Sequence, residues 1–384
     1  MINKLIEYAL KKPGHIIALF GLLFLFSLGN IPFLKQVSDI SQLISKQDQI
    51  IQLNFKMEKI FGSTRLGLIS FKNALTPEKL PEAKRIHELL ESKEKINDVI
   101  SVFSEKYLAG AQGSFSVEEI VEGPIKAAES LDTLKNKLES FPLYEYSLYQ
   151  GNDLNYLIQF NSDVDDQFMS ELIQEIIKTS KYQDDLVTSG WPKINNSIKG
   201  IMDRDLFILI PLIFVIITII FFYLFRSLRG IIIPLVTITI AIVSAVGFMS
   251  FWGISLNVVS NSIPILLVAI GTSDGVHFLT KYYHYSGDYN EHHKLLNKTT
   301  KIIAPTILLT SITTMGGFLA NLFSPVKSIS EFGLVTACGV LVAGIASYLL
   351  IPSLLTKFKA YPQEQRRNSH EVIFVNIATR IYQC

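Results

Sequence analysis

Six apolar stretches, each close to the length of a membrane-spanning helix, are the feature that most limits how this chain can fold. A helix needs roughly 20 mostly apolar residues to cross a hydrocarbon core about 30 Å thick. The stretches are His15–Leu34, Leu206–Phe225, Gly230–Trp252, Val258–Thr280, Ile302–Phe323 and Phe332–Leu355. Of the 384 residues 49% are hydrophobic and only 18% are charged, and the mean hydropathy is +0.33. We therefore expect an α-helical integral membrane protein with six transmembrane helices.

The first stretch has two interpretations. It follows Lys4, Lys11 and Lys12, and a charged start before an apolar run is typical of a secretory signal peptide as well as of a first span. No small-residue cleavage pattern follows Leu34, and more apolar stretches come later in the chain. We interpret it as a membrane anchor.

The polar segment from residue 35 to residue 205 has the periodicity of a mixed α and β domain. The pattern predicts strands at Thr64–Phe71, Ile96–Phe103, Leu154–Phe160 and Leu186–Ser189, and helices at Pro77–Lys93 and Val164–Ser180. It also predicts a helical insertion at Tyr107–Phe141 and a turn at Gly190-Trp191-Pro192. The order is that of two split βαβ units, which predicts an extracytoplasmic, ferredoxin-like α+β domain inserted between helices 1 and 2.

Basic residues near the ends of the stretches indicate the orientation, because they collect on the cytoplasmic side. If every stretch crosses, one side of the membrane receives almost all of them: Lys11, Lys12, Arg226, Arg229, Lys281, Lys294, Lys298, Lys301, Lys357, Lys359, Arg366 and Arg367. We expect both termini to lie in the cytoplasm. We expect residues 35–205 to lie on the extracytoplasmic side of the cell (inner) membrane.

Four segments follow from this topology. They are a cytoplasmic N-terminus with helix 1 (1–34), a porter-like domain (35–205), helices 2 to 6 (206–356) and a cytoplasmic tail (357–384). The tail is basic and ends in an amphipathic sequence like that of residues 2–12. It is interpreted either as a segment lying on the lipid surface or as the start of a second copy of the whole unit.

Several function classes lack support in the sequence. Net charge is +1, which does not indicate nucleic-acid binding, and the two cysteines, Cys338 and Cys384, form no disulfide framework. No HExxH motif, nucleophile elbow or phosphate-binding glycine loop is present, so we expect neither an enzyme nor a cofactor. His277, His284, His292 and His293 have no closed ligand spacing, so we expect no metal.

An acidic residue lies inside the fourth stretch. Asp274 is about 24 Å along a helix from Val258, too deep to reach water easily, and a carboxylate there costs roughly 2.5–3.5 kcal/mol on insertion scales. Ser273 and His277 lie on nearly the same helix face and could act with it. Asp274 is interpreted as a proton carrier, with a neutral aspartic acid that joins helices by hydrogen bonds as the alternative.

The fifth stretch contains Thr310, Thr313 and Thr314 on one helix face, followed by Gly316 and Gly317. Small and hydroxyl residues let helices pack closely and form hydrogen bonds in lipid. Plain helix packing explains each residue alone. A supporting role in proton transfer requires that this face meet Asp274.

These motifs together resemble those of the RND superfamily of transporters, specifically the bacterial predicted exporters related to Patched and to mycobacterial lipid exporters. The resemblance rests on FGSTRLGLISF, TSGWPKINNSIKGIMDRDL, FRSLRGIIIPL, GFMSFWGISLN, AIGTSDGVHF and APTILLTSITTMGGFLANLFSPVKSISEFGLVTACGVL. It covers nearly the whole chain up to about Leu355, with the motifs in the family's order.

The resemblance implies a site. In the family, acidic residues of the fourth span carry the proton that drives export, and the outer domain handles the substrate. Some members have the motif glycine, two residues, aspartate, two residues, histidine. In this chain the three motif positions are Gly271, Asp274 and His277. Other members have the motif glycine, one residue, aspartate. When this chain is aligned with those members, the position of their aspartate corresponds to Ser273.

The resemblance also implies a partner, because family members usually contain two six-span halves in one chain and this chain contains one. It would be a fragment, a split-gene product paired with another half, or a homodimer. We expect a proton-driven exporter half of a hydrophobic or amphiphilic substrate such as a lipid, in contact with membrane lipids. The alternatives are a lipid-sensing or assembly module resembling the sterol-sensing members, and an auxiliary subunit of protein export.

Overall fold

The computed structural model describes residues 2–38, 66–111, 114–121, 128–139, 144–161, 164–289 and 291–358, with isolated positions between 49 and 60. The residues form two compact units. One comprises residues up to 45 and from 202 onward, and the other comprises residues 46–201. The predicted tail lies almost entirely outside the described residues, which end at Phe358.

The first unit is a helical bundle. Its helices are α1 (Ile2–Lys11), α2 (Pro13–Asn30), α7 (Ile210–Phe225), α8 (Leu228–Phe251), α9 (Ile263–Tyr285), α10 (His292–Leu319) and α11 (Lys327–Leu355). Short 3₁₀ turns extend three of them, at Ile31–Phe33, Ser260–Ser262 and Ala320–Phe323. Six helices are long and apolar enough to cross a membrane, as the sequence predicts.

Local sequence signals explain where these helices begin and end. Pro13 and Pro264 occupy the first turns of α2 and α9, where a missing N–H costs nothing. Ser227 caps α8, because its Oγ accepts a hydrogen bond from the Gly230 N–H at 3.1 Å. Arg226, with φ of 47°, ends α7 in the left-handed region.

Burial differs strongly among the helices of the bundle. α11 is the central helix, with 72% of its most apolar window buried, and it packs against α1, α2, α8, α9 and α10. α7 lies at the periphery, with 11% buried, and its apolar side chains face outward. Apolar side chains facing outward are what a lipid environment favours.

The amphipathic helix α1 packs onto the bundle. Ile6, Ala9 and Leu10 are buried, and α1 contacts α10 and α11. The Ala9 carbonyl accepts a hydrogen bond from Ser353 Oγ at 3.3 Å, and Lys301 Nζ lies 3.2 Å from Glu7 Oε1. Its apolar face therefore attaches α1 to the ends of two long helices.

The second unit contains an antiparallel sheet with the strand order β2-β6-β1-β7, and the short β5 also pairs with β6. The strands are β1 (Leu66–Phe71), β2 (Ile96–Ile100), β5 (Tyr149–Gln150), β6 (Asp153–Phe160) and β7 (Leu186–Gly190). Helix α3 (Leu80–Glu91) links β1 to β2, and α5 (Asp166–Lys178) links β6 to β7. The predicted strand, helix, strand order is present twice.

The register of the sheet fixes its core. β1 pairs with β6 from Leu66 opposite Gln159 to Phe71 opposite Leu154. Alternate residues of β6 are buried, and Tyr156 donates a hydrogen bond from its hydroxyl to the Ala83 carbonyl at 2.8 Å. At the sheet's edge, the pairing of β2 with β6 shifts register between Ile96 and Asp98.

The helical insertion predicted at Tyr107–Phe141 is wrong in its first half. Residues Lys106–Ala111 and Ser114–Glu119 form the hairpin β3 and β4. Among the residues of this range that the structure describes, only Ala128–Glu139 is helical, as α4. The alternation of Phe115 and Val117 with serine and glutamate has the period of a strand.

The turn predicted at Gly190-Trp191-Pro192 is also corrected. Gly190, with φ of 91°, ends β7, and a helix begins directly at Trp191. Pro192 is acceptable in its first turn. This helix, α6 (Trp191–Arg204), continues through a π turn at Asp205–Leu209 into α7, giving 35 continuous helical residues in the second candidate span.

Candidate functional site

Two glycines of α9 allow close packing against α8 on either side of Asp274. A Cβ at Gly271 would lie 2.9 Å from Ile238 Cγ1, and a Cβ at Gly275 would lie 2.9 Å from Pro234 Cβ. Real Cβ atoms do not make such short contacts, so each glycine is required for this helix spacing. Asp274 lies between these two contact points.

Asp274 is buried in the bundle, with 7% of its surface exposed. Helix α9 packs against α7, α8, α10 and α11. Among the described residues, Asp274 Oδ2 has no hydrogen-bond partner and no lysine or arginine forms an ion pair with the carboxyl group. A buried carboxylate without a partner is very costly, and the protonated acid costs much less. This position therefore suits a group that binds and releases a proton.

Ser273 and His277 are close to Asp274 on α9, but both side chains are exposed. They lie four residues apart on one face, and His277 is three residues, less than one turn, from Asp274. Among the described residues, neither forms a hydrogen bond with Asp274 Oδ2. Both residues therefore lie on the surface of this chain, whereas the carboxyl group of Asp274 is buried.

The threonines of α10 satisfy their hydroxyls locally. Thr310 donates to the Thr306 and Ile307 carbonyls at 3.1 and 2.9 Å, and Thr313 donates to the Leu309 and Thr310 carbonyls at 2.9 Å each. Both threonines are exposed and Thr314 is half-buried. A direct role in holding the Asp274 proton stays a prediction for all three.

Gly316 and Gly317 follow on α10. Both are exposed, and a Cβ added at either position would meet nothing within 4 Å. They contribute no close contact within this chain, unlike Gly271. Their surface is free for another helix.

A serine that the sequence analysis did not predict lies at a depth similar to that of Asp274. Ser311 of α10 is buried, its Oγ has no hydrogen-bond partner among the described residues, and it lies directly against Gly344 of α11. The sequence predicts Thr310 and Thr313 as site residues because they share one helix face with Thr314. Only the packing of α10 on α11 distinguishes Ser311 from them.

The depth of Ser311 follows from two glycine contacts. A Cβ at Gly339 of α11 would lie 2.6 Å from Leu267 of α9, so these two residues are level. Five residues further along each helix, Gly344 is level with residue 272 of α9. Ser311, which contacts Gly344, is therefore within about 3 Å of the depth of Asp274.

Within the described residues, no three His, Cys, Asp or Glu side chains come together as metal ligands. The chemistry that the bundle offers is that of a single buried carboxyl group with hydroxyl groups at a similar depth. Such intramembrane acids typically mark ion or proton pathways.

Comparisons with known proteins identify the family of the chain. A family model described as the MMPL family matches residues 150–383, more than half of the chain. No curated protein matches the chain. The match extends from β5 of the sheet through all helices of the bundle from α7 onward, and with six apolar helices it makes this a multi-pass membrane protein. The resemblance to RND-type transporters is thereby confirmed, and the chain belongs to the MMPL family.

Proposed function

We propose that this chain is one half of a proton-driven RND-type exporter in the cell (inner) membrane, which moves a hydrophobic or amphiphilic substrate such as a lipid. Asp274 is its proton carrier. The proposal rests on one observation, a carboxyl group with 7% exposure in a membrane helix whose Oδ2 has no partner. Membership of a transporter family supports it.

The close packing beside Asp274 supports a conformational role for its protonation. Gly271 and Gly275 hold α9 against α8, and Pro234 on α8 gives that contact little freedom to adjust. Deprotonation of Asp274 places a charge in a buried environment and raises the free energy of the bundle. A rearrangement of the helices that hydrates the carboxylate lowers this free energy again. Proton binding and helix movement are coupled in this way.

The sheet unit is the proposed substrate-handling domain. Its strand order and antiparallel pairing are those of two split βαβ units of the ferredoxin-like kind. The excess of lysine and arginine at the opposite ends of the spans supports an extracytoplasmic position for residues 35–205 and a cytoplasmic position for both termini.

A second six-helix half is the proposed partner. His277 is exposed on α9, and polar residues inside a membrane typically face protein rather than lipid. On α10, Thr313 and Gly317 are separated by three residues, and small residues at this spacing let two helices approach closely. The partner surface consists of Ser273, His277, Thr310, Thr313, Gly316 and Gly317.

The central test measures proton movement. The full chain is placed in liposomes with an internal pH dye, with the partner half if one is encoded separately, and an imposed pH gradient is followed. We expect Asp274→Asn to reduce proton flux to that of empty liposomes, because asparagine has nearly the same shape but does not bind a proton at this pH.

The matched control is Thr272→Val, two residues away on the same helix. Its hydroxyl already donates to the Val268 carbonyl at 2.6 Å, so flux should be retained. Equal flux in wild type and Asp274→Asn, with both proteins folded, would show that Asp274 carries no proton.

The partner surface has a separate test. Gly317→Leu places a bulky side chain where a second half would pack, so we expect the assembly in detergent to dissociate to single chains by light scattering. Gly21→Leu on α2 is the control, because a Cβ there also meets nothing within 4 Å. An assembly unchanged by Gly317→Leu would place the partner elsewhere.

A further inference from the structure

Five buried hydroxyl groups of the bundle have no hydrogen-bond partner among the described residues. Thr299 and Ser311 belong to α10, and the other three lie on α2, α8 and α11. Ser27 on α2, Ser244 on α8 and Thr336 on α11 each have 0% of their surface exposed, and each Oγ atom is unpaired. Buried hydroxyls are almost always paired with protein or with ordered water, so each of these groups requires an explanation.

Other hydroxyls of the bundle show the usual solution. They donate to a carbonyl one turn earlier in their own helix, which is how serine and threonine are normally accommodated in membranes. This group includes Thr218, Thr237, Thr239, Thr272, Thr300 and Ser347. Ser27, Ser244 and Thr336 are oriented differently, away from their own helix carbonyls.

The three helices that carry these hydroxyls pack against one another in pairs, α2 with α8, α8 with α11, and α11 with α2. A Cβ at Gly247 would lie 2.5 Å from Ser27 Cβ, and Ser244 precedes Gly247 by one turn of α8. A Cβ at Gly339 would lie 3.1 Å from Ala245 Cβ, and Thr336 precedes Gly339 by one turn of α11.

The hydroxyls are therefore at similar depths. A separation of three residues along a helix is about 4.5 Å, so Ser27 and Thr336 are nearly level and Ser244 is about one turn deeper. The link from Ser250 Oγ to the Asn30 carbonyl, at 2.7 Å, fixes the register of α8 and α2 just beyond them. Three unpaired hydroxyls therefore lie at similar depths on three helices that pack against one another.

We infer that Ser27, Ser244 and Thr336 form an internal water-binding site between α2, α8 and α11. A buried water typically makes about three hydrogen bonds to polar groups that lack other partners, and each hydroxyl can donate or accept. The neighbouring glycines Gly247 and Gly339 keep the backbones of the three helices close together.

This site is separate from Asp274. Leu267 contacts Gly339 and lies seven residues before Asp274 on α9, about 10 Å along the helix. The bound water is therefore a structural water, and the inference does not depend on Asp274.

Water-edited solid-state NMR of the full chain in lipid bilayers tests the site directly. We expect polarisation transfer from water to Ser27, Ser244 and Thr336 at least threefold faster than to Thr237, a buried threonine paired with the Ile233 carbonyl. In Thr336→Val the transfer to Ser27 and Ser244 should also fall, because the water loses one of its partners. Transfer equal to that of Thr237 would show a dry site and overturn the inference.

Thermal unfolding in detergent gives an independent answer. If water is bound, Thr336→Val lowers the Tm by about 2–4 °C relative to Thr237→Val. If the site is dry, Thr336→Val raises the Tm, because it removes an unpaired buried hydroxyl. A rise in Tm specific to sodium over potassium would identify a cation as the occupant and would also overturn the inference. Neither measurement depends on proton transport, so failure of the site and failure of Asp274 as proton carrier are distinguishable.

Discussion

Gly344 of α11 lies against Ser311 of α10 so closely that a Cβ at position 344 would overlap the serine hydroxyl oxygen. Gly344→Ala should therefore destabilise the bundle by about 1–3 kcal/mol, the usual cost of overpacking. Thermal unfolding of the full chain in detergent measures this. The double variant with Ser311→Gly should recover most of the loss, since it removes the side chain that the new methyl group meets.

Gly316→Ala is the control for this prediction, because a Cβ there meets nothing within 4 Å. Its Tm should stay close to that of the wild type. A stable Gly344→Ala would mean that α10 and α11 pack less closely than described here.

Gly275→Ala tests the spacing of α8 and α9 beside Asp274. The added Cβ would lie 2.9 Å from Pro234 Cβ, and the proline ring cannot turn away. We expect the helices to shift by a few tenths of an ångström and proton flux to fall by about threefold to tenfold, because proton transfer depends steeply on position. Flux into dye-loaded liposomes is the measurement, with Gly29→Ala on α2, an open position, as control. Normal flux in Gly275→Ala would separate helix spacing from proton transfer.

The attachment of α1 should depend on burial more than on charge. Ile6 is 1% exposed, and Ile6→Ala removes buried methyl groups at a cost of about 2–5 kcal/mol. Lys301 and Glu7 form a partly exposed pair at 3.2 Å, so Lys301→Ala should cost about 0.2–1 kcal/mol. Thermal unfolding of both variants measures the two losses of stability. A larger loss for Lys301→Ala than for Ile6→Ala would contradict this prediction.

His87 of α3 makes the sheet unit sensitive to acid. It is buried, its Nδ1 lies 3.1 Å from Ser101 Oγ and its Nε2 lies 3.1 Å from Glu91 Oε1. Burial lowers the pKa of His87, although the charges of Glu91, Glu88 and Asp98 act in the opposite direction. The neutral imidazole is thus favoured in the folded state. Its contribution to stability is complete above the unfolded pKa of about 6.5 and is lost as the pH falls through the lower folded pKa.

Hydrogen exchange of the full chain between pH 7.5 and 5 checks this dependence. After correction for intrinsic rates, amide protection in α3 and β2 should decrease on acidification. His87→Gln, which does not titrate, should show a much flatter profile. Protection that increases toward pH 5 would mean that the charged imidazole is the favoured form.

Single helices and strands could be predicted from the sequence more accurately than the contacts between them. Hydropathy predicted all six spans, because crossing a membrane requires length and apolarity and little else. Period and composition located β1, α3, β6 and α5 within a few residues. The strand order β2-β6-β1-β7 depends on pairings between residues far apart in sequence. The hairpin of β3 and β4 was missed because the alanines and glycine of β3 have a low strand propensity.

The same contrast applies to the candidate site, where one residue was predictable from the sequence and another was not. The position of Asp274 in an apolar run was sufficient to single it out. Nothing in the sequence distinguishes Ser311, with its unpaired hydroxyl, from Thr313, which bonds to its own helix. That difference arises from how closely α11 approaches at Gly344, and helix separation is set by packing across the whole bundle.

The shift in pairing between Ile96 and Asp98 has a consequence for how the molecule avoids aggregation. β2 is an edge strand, and a regular edge offers its free N–H and C=O groups to any other strand it meets. The irregularity interrupts that row, and Asn97 and Asp98 place polar groups on its exposed side. Straightening β2 by deleting Asn97 would provide a continuous template, and the sheet unit would then become prone to edge-to-edge polymerisation.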